Sequence, residues 1–230
     1  MRKSRPALIV FCREPVAHQA KTRLIGAMTP AAAAALSDAF IRDALAKAVA
    51  VRASSIVIAA SAPNGVEHSR YFQRMARRFG AELIDQGDGS LGMRMARALQ
   101  PLSSDGALLI GTDTPSLPAA LLAASLDALR RNRIVIAPSL DGGYYAIGVR
   151  GPMPPIFTGI RWGSSGVFDS TVKRLKRAGL RYTLGPAWYD VDRWPDVLLL
   201  AAHLRLLRRT SPCPATESVL KRLGVLRHDS

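Results

Sequence analysis

Short apolar runs of strand length alternate with longer amphipathic stretches along nearly the whole chain. The runs at 7–12, 55–60, 81–85, 107–111, 134–137, 144–149 and 182–184 predict strands. Several are continuously apolar, as strands covered on both faces are. Between them, helical spacing predicts helices over 30–51, 66–79, 91–99, 118–130, 164–178 and 194–209. Pro30 behind Thr29 and Pro118 behind Leu117 suit a first helical turn, and Gly80 and Gly179 stand where helices stop. This alternation predicts an α/β fold: a mixed, mainly parallel sheet with helices on both faces. Asp141-Gly142-Gly143 separates two strands by only a tight turn, which predicts a local antiparallel element late in the sheet. Without repeats or a linker, residues 1–230 read as one domain. A basic tail starts at about residue 210, where Ser211-Pro212-Cys213-Pro214 reads as a loop leading to a short basic helix.

Composition narrows the class. With 48% apolar residues the chain can bury a core. No apolar run is long enough to span a bilayer, and the first is too short for a signal-peptide core, so a cytoplasmic protein is expected. Cys12 and Cys213, far apart in sequence, suggest neither a disulfide nor a metal framework. The charge is strongly basic: 32 Lys and Arg against 17 acidic residues, a net +15. Such a field attracts nucleic acid, anionic membranes or phosphorylated small molecules. From 170 to 230 there are 12 basic and 5 acidic residues, many on helix faces, as in Lys173-Arg174-x-Lys176-Arg177. Aromatics make up only 6% and are not interleaved with the basic runs, which argues against a single-strand stacking platform and against nucleic acid as partner.

Five segments carry candidate chemistry. Behind the first strand, a loop holding Arg13, Lys21 and Arg23 offers a point charge, planar forks and backbone amides, the equipment for gripping a polyphosphate. It matches neither the P-loop nor the dinucleotide fingerprint, and His18 within it reads as a surface residue. Next, Gly111-Thr112-Asp113-Thr114-Pro115 places one carboxylate just beyond a buried strand, where α/β sheets bind ligands; a plain turn former or helix cap is the alternative. Asp141-Gly142-Gly143-Tyr144-Tyr145 is a glycine turn that could also bring backbone, a carboxylate and a tyrosine hydroxyl to a substrate. In Asp190-Val191-Asp192, strand alternation points two carboxylates to one side, so a divalent metal or a nearby arginine must share them. Asp196 reads instead as a first-turn partner of the last long helix. Finally, the glycine-rich turn from Gln86 to Arg94 either lies beside a nucleotide or merely joins a strand to a helix.

The order Lys-Thr-Arg-Leu, Leu-Gly-x-Arg-Met, Gly-Thr-Asp-x-Pro, Asp-Gly-Gly-Tyr-Tyr and Asp-Val-Asp-x-x-x-Asp resembles the small GT-A-like transferases of unknown substrate. Some of these are described as arsenosugar-biosynthesis glycosyltransferases. They are distantly similar to the phospholactate and molybdenum-cofactor guanylyltransferases. The motifs run from Phe11 to Asp196, about four-fifths of the chain. The resemblance implies a nucleotide-diphospho-sugar transferase fold, a nucleotide-sugar or nucleoside triphosphate donor, a small-molecule acceptor, and Mg²⁺ or Mn²⁺. It implies that Lys21 and Arg23 meet donor phosphates and that Asp113 is the principal metal ligand, with Asp192 and then Asp190 next. Asp113, Asp192 and Lys21 are thus the candidate catalytic residues. Arg13, Gln86, Arg94, Gly111 and Thr112 join Lys21 and Arg23 as candidate nucleotide contacts, and Asp141, Gly142, Gly143, Tyr144 and Trp162 belong to the acceptor side. The chain departs from the family pattern at Arg13, where lysine is expected, at His18, where glycine is expected, and at Met93, where an acidic residue is common.

A metal-dependent transferase is therefore the expected function, with glycosyl transfer favoured and nucleotidyl transfer as the alternative. A basic protein binding nucleic acid without catalysis is the rival from another class.

Overall fold

The computed structural model describes residues 5–207 and 211–226. Seven strands form one sheet: β1 (Ala7–Arg13), β2 (Ile56–Ser61), β3 (Glu82–Asp85), β4 (Ala107–Ile110), β5 (Ile134–Pro138), β6 (Tyr144–Val149) and β7 (Thr183–Leu184). Their spatial order is β3-β2-β1-β4-β6-β5-β7. The first four are parallel, with Leu8 of β1 opposite both Ile56 and Leu108. The glycine turn at 141–143 makes β5 and β6 an antiparallel pair, as the sequence indicates. Less legible was the destination of β6, which inserts between β4 and β5 and runs antiparallel to both.

Among the described residues there are seven α-helices: α1 (Pro30–Ala50), α2 (Arg70–Phe79), α3 (Leu91–Leu99), α4 (Ala119–Leu129), α5 (Val167–Arg177), α6 (Trp194–Leu206) and α7 (Pro214–Arg222). Strand alternation divides the core. Leu8, Val10 and Cys12 pack with α1, α2 and α4 on one face, while Ala7 and Ile9 pack with α3 and α5 on the other. The helix α1 is apolar nearly all round because it is sandwiched: Ile41 and Leu45 meet the sheet cluster, and Leu36 and Phe40 meet a third cluster with α6 and α7. Buried Asp43 of α1 fixes α7, accepting from the Ala215 and Thr216 amides at 3.0 and 2.8 Å and the Thr216 hydroxyl at 2.6 Å.

Several predicted boundaries shift for local reasons. The helix expected from 66 starts at Arg70, because the Ser69 hydroxyl accepts from the Phe72 amide and caps it there. The helix expected from 164 starts at Val167, behind Gly166. Pro118 is the N-cap of α4 rather than its first residue. Of the helix expected over 194–209, Trp194–Leu206 is helical, and 208 and 209 lie outside the described residues. None of the described helices is long and apolar enough to cross a membrane.

Candidate active site

The chain runs outward from β1 to β2 and β3, then returns to place β4 on the other side of β1. That reversal opens a crevice at the carboxyl ends of β1 and β4, where open α/β sheets bind ligands. A cleft of about 450 Å³ occupies it, lined by Phe11, Cys12 and Arg13 from β1, by Gly111, Thr112 and Asp113 beyond β4, and by Lys21, Arg23 and Asp192. It continues into a second lobe of about 500 Å³, with Arg23, Leu91, Asp113 and Asp192 shared between the two.

Lys21 sits at the junction. Its ammonium meets Asp113 Oδ1 at 2.7 Å, Asp192 Oδ1 at 2.8 Å and the Val191 carbonyl at 2.7 Å, with the side chain only 8% exposed. The Phe40 ring lies 5.2 Å away. Arg23 reaches Asp192 Oδ2 at 3.1 Å from a more open position. Backbone contacts hold these groups together. The Val191 amide donates to the Asp113 carbonyl at 2.8 Å, and buried Lys47 of α1 donates to the Pro115 carbonyl. Asp196 accepts from the Asp192 and Arg193 amides at 3.0 and 2.7 Å, the first-turn role expected of it. Burial pulls Lys21 down, but Asp113 and Asp192 outweigh it and hold the ammonium above its ordinary range. Burial pushes Asp192 up, yet Lys21 and the neighbouring arginines bring it below the usual carboxylate range.

Gln86 lines the first lobe, but its amide is not free to read a nucleotide. Its nitrogen donates to the Cys12 and Ala59 carbonyls at 2.9 and 2.8 Å, and its oxygen accepts from Arg94. With 1% exposure it stitches the ends of β1 and β2 together and anchors Arg94, whose guanidinium lies over the Phe11 ring at 5.6 Å. Arg94 and Arg13 both line the lobe. Gly111 borders open space, so a side chain there would enter the cleft. Thr112 leans on the Asp113 carboxylate at 3.4 Å.

Asp141, Gly143, Tyr144 and Trp162 line the second lobe. Asp141 Oδ1 accepts from the Gly143 amide at 2.8 Å and from the Ser139 hydroxyl, which leaves Oδ2 without a protein partner among the described residues. Gly142 is not a lining residue. It has φ +89°, and a Cβ there would fall 2.0 Å from the Ser165 carbonyl oxygen, so its glycine serves the packing of the turn against 164–166. Neither tyrosine aims its hydroxyl at the lobe: that of Tyr144 is buried beside Thr171, and that of Tyr145 donates to the Pro186 carbonyl at 3.0 Å. Asp190 lies outside both linings. Burial and the nearby Asp141 push it up to about 6. Sequence reasoning missed Arg193, Ser164 and Ser165 in the second lobe; only the position of Arg193 next to the Asp-Val-Asp motif hinted at it.

The family departures are accommodated. His18 is exposed with φ +66°, a conformation that explains a family glycine there. Met93 is 57% exposed on α3 and outside both linings.

Whether a divalent ion fits is decided by the donor set. Asp113 and Asp192 are close enough to share one cation, and Lys21 is such a cation. Both contacts to the Asp113 carboxylate fall on Oδ1, which leaves Oδ2 without a protein partner among the described residues, on a side chain that is 48% exposed. Among the described residues no group of three or more His, Cys, Asp or Glu could hold an ion. Mg²⁺ is commonly held by one or two carboxylates, with phosphate oxygens and water completing its shell, and two carboxylates are what Asp113 and Asp192 could offer.

A family model described as "uncharacterized protein conserved in bacteria (DUF2064)" matches residues 44–164, just over half of the chain. The chain belongs to the DUF2064 family. This DUF2064 protein is similar over 97% of its length to a crystal structure from Desulfovibrio desulfuricans G20 described as a candidate nucleotide-diphospho-sugar transferase. The two are 29% identical with a TM-score of 0.82, and 96% of that chain is covered. Two structures share its fold alone. One is a CMP:2-keto-3-deoxy-manno-octonic acid synthetase complexed with CTP, 12% identical with TM-score 0.56, over 89% of this chain and 99% of that one. The other is a cytidylyltransferase from Leptospira borgpetersenii serovar Hardjo-bovis, 11% identical with TM-score 0.57, over 99% and 98%. No curated protein matches the chain.

Proposed function

We propose that this DUF2064 protein is a metal-dependent transferase that takes a nucleotide-sugar or nucleoside triphosphate donor, with glycosyl transfer the favoured reaction. The observation that carries the reading is the convergence at one crevice of Lys21, Arg23 and Arg13 with the paired carboxylates Asp113 and Asp192. The likeness to a candidate nucleotide-diphospho-sugar transferase supports it.

In this reading the donor occupies the first lobe, its nucleoside toward Phe11, Arg13 and Arg94 and its phosphates toward Lys21 and Arg23. The acceptor occupies the second lobe, between Trp162 and Asp141. A divalent ion held by Asp113 and Asp192 would neutralise charge on the phosphates. As the acceptor oxygen bonds to the anomeric carbon, the carbon–oxygen bond to the diphosphate breaks. The diphosphate leaves with the electron pair, and the acceptor proton is released to Asp141 or solvent. With the donor so placed, Arg23 and Lys21 would face the charge growing on the diphosphate, and the chain would contribute mainly position and electrostatics. Nucleotidyl transfer, in which the α–β phosphate bond breaks and pyrophosphate leaves, is the second reading, supported by the fold shared with a cytidylyltransferase.

Incubation with UDP-glucose, GDP-mannose and each nucleoside triphosphate, with Mn²⁺ or Mg²⁺, separates them. Glycosyl transfer or donor hydrolysis yields nucleoside diphosphate, and nucleotidyl transfer yields pyrophosphate. Either product should vanish in Asp113→Ala. The same DNA or RNA affinity in wild type and Asp113→Ala, with no nucleotide turnover, would favour the rival binding function.

A further inference from the structure

Lys21 is held more tightly than a lysine waiting for phosphate would be. An ammonium has three N–H donors, and Lys21 makes three contacts, to Asp113 Oδ1, Asp192 Oδ1 and the Val191 carbonyl. Nothing is left over for a ligand. Its backbone is left-handed, at φ +47° and ψ +44°, a conformation non-glycine residues adopt only when their surroundings impose it. Arg23 satisfies the remaining oxygen of Asp192. The charges of Lys21, Arg23, Asp113 and Asp192 at the junction are thus balanced against one another.

That balance excludes a bare ion. A dication entering between the carboxylates would meet the ammonium at contact distance, and the like charges repel. The conflict is resolved if an anionic group arrives with the ion and takes over the displaced ammonium. We propose that Lys21 is a built-in counter-cation: it holds the ion's place between Asp113 and Asp192, so a divalent ion is admitted only together with the diphosphate or triphosphate of a donor. This rests on the reading of Asp113 and Asp192 as the ion-binding pair. It makes ion and donor bind cooperatively, and it disfavours uncharged donors, because a neutral ligand offers Lys21 no new partner.

The test is a titration of the full chain with Mn²⁺ alone, following free Mn²⁺ by electron paramagnetic resonance. Lys21→Met removes the charge at similar length and should bind Mn²⁺ at least tenfold more tightly than wild type. Lys21→Arg keeps the charge and should stay near wild type. Equal affinity of Lys21→Met and wild type overturns the proposal. Adding Asp113→Asn to Lys21→Met should abolish the gain. A gain that survives Asp113→Asn places the ion elsewhere and overturns the underlying site reading instead. If Lys21→Met fails to fold by circular dichroism, the wild type decides. UDP should tighten Mn²⁺ binding at least tenfold beyond its own chelation, and no tightening overturns the proposal.

Discussion

Replacing Gln86 by methionine keeps the length of the side chain and removes its amide. The structure then loses the two hydrogen bonds to the Cys12 and Ala59 carbonyls and the acceptor that holds Arg94. Each neutral bond contributes about 0.5–1.5 kcal/mol, and one to a charged group about 1.5–3 kcal/mol. Arg94 is partly solvated and recovers some of its share from water, so the expected loss is about 3 kcal/mol. For a domain of this size that lowers the melting temperature by roughly 6–12 °C. Urea denaturation followed by circular dichroism, with the slope of the transition unchanged, reads the stability directly. Nucleotide affinity measured by calorimetry should fall in parallel, because Arg94 is no longer held over Phe11. Gln86→Glu keeps a partner for Arg94 but faces two carbonyls without a donor, so it too should destabilise. If Gln86→Met leaves the urea midpoint unchanged while weakening nucleotide binding, Gln86 is a ligand contact and the scaffold argument is wrong.

Other consequences follow from single contacts. Asp190 is pushed up to about 6 in the folded chain, so folding takes up a proton between about pH 4 and 6, and stability falls as pH rises through that window. Because the group is partly exposed, the penalty is discounted to about 1 kcal/mol. Asp190→Asn should be more stable than wild type by that amount at pH 7.5 and no more stable at pH 4; a pH-independent difference contradicts the assignment. Asp43→Ala strands the Ala215 and Thr216 amides at the start of α7 and should cost about 2–3 kcal/mol in urea denaturation. A Cβ at Gly92 would come within 2.6 Å of both the Phe157 carbonyl and the Trp162 ring. Gly92→Ala should therefore cost about 1–3 kcal/mol and perturb Trp162 fluorescence; an unchanged spectrum and midpoint argue against that packing.

Most of the fold was legible because the strands are short and two-sided. The run 107–111 announced both a buried strand and the carboxylate beyond it, and Thr29 and Gly80 marked helix ends by their own chemistry. What the sequence could not fix was pairing at a distance. Nothing local sends β6 between β4 and β5, and nothing local brings Lys21 to Asp192, 171 positions away. Alternation put Asp190 and Asp192 on one side, but only the packing of 188–192 against the Asp113 loop decides that Asp192 alone lines the cleft. Gln86 stood out as a polar residue after a strand, but its burial and its bonds to the Cys12 and Ala59 carbonyls, which tie β1 to β2, depend on packing that no local pattern announces.

The proposed function requires the β1–β4 crevice to bind a donor's phosphates together with a divalent ion. Crystals grown with Mn²⁺ and UDP, measured at the manganese absorption edge, test it most directly. An anomalous peak bonded to Asp113, Asp192 and phosphate oxygens is expected, with the uracil near Phe11 and Arg94. UDP bound elsewhere, or manganese away from Asp113 and Asp192, would contradict it.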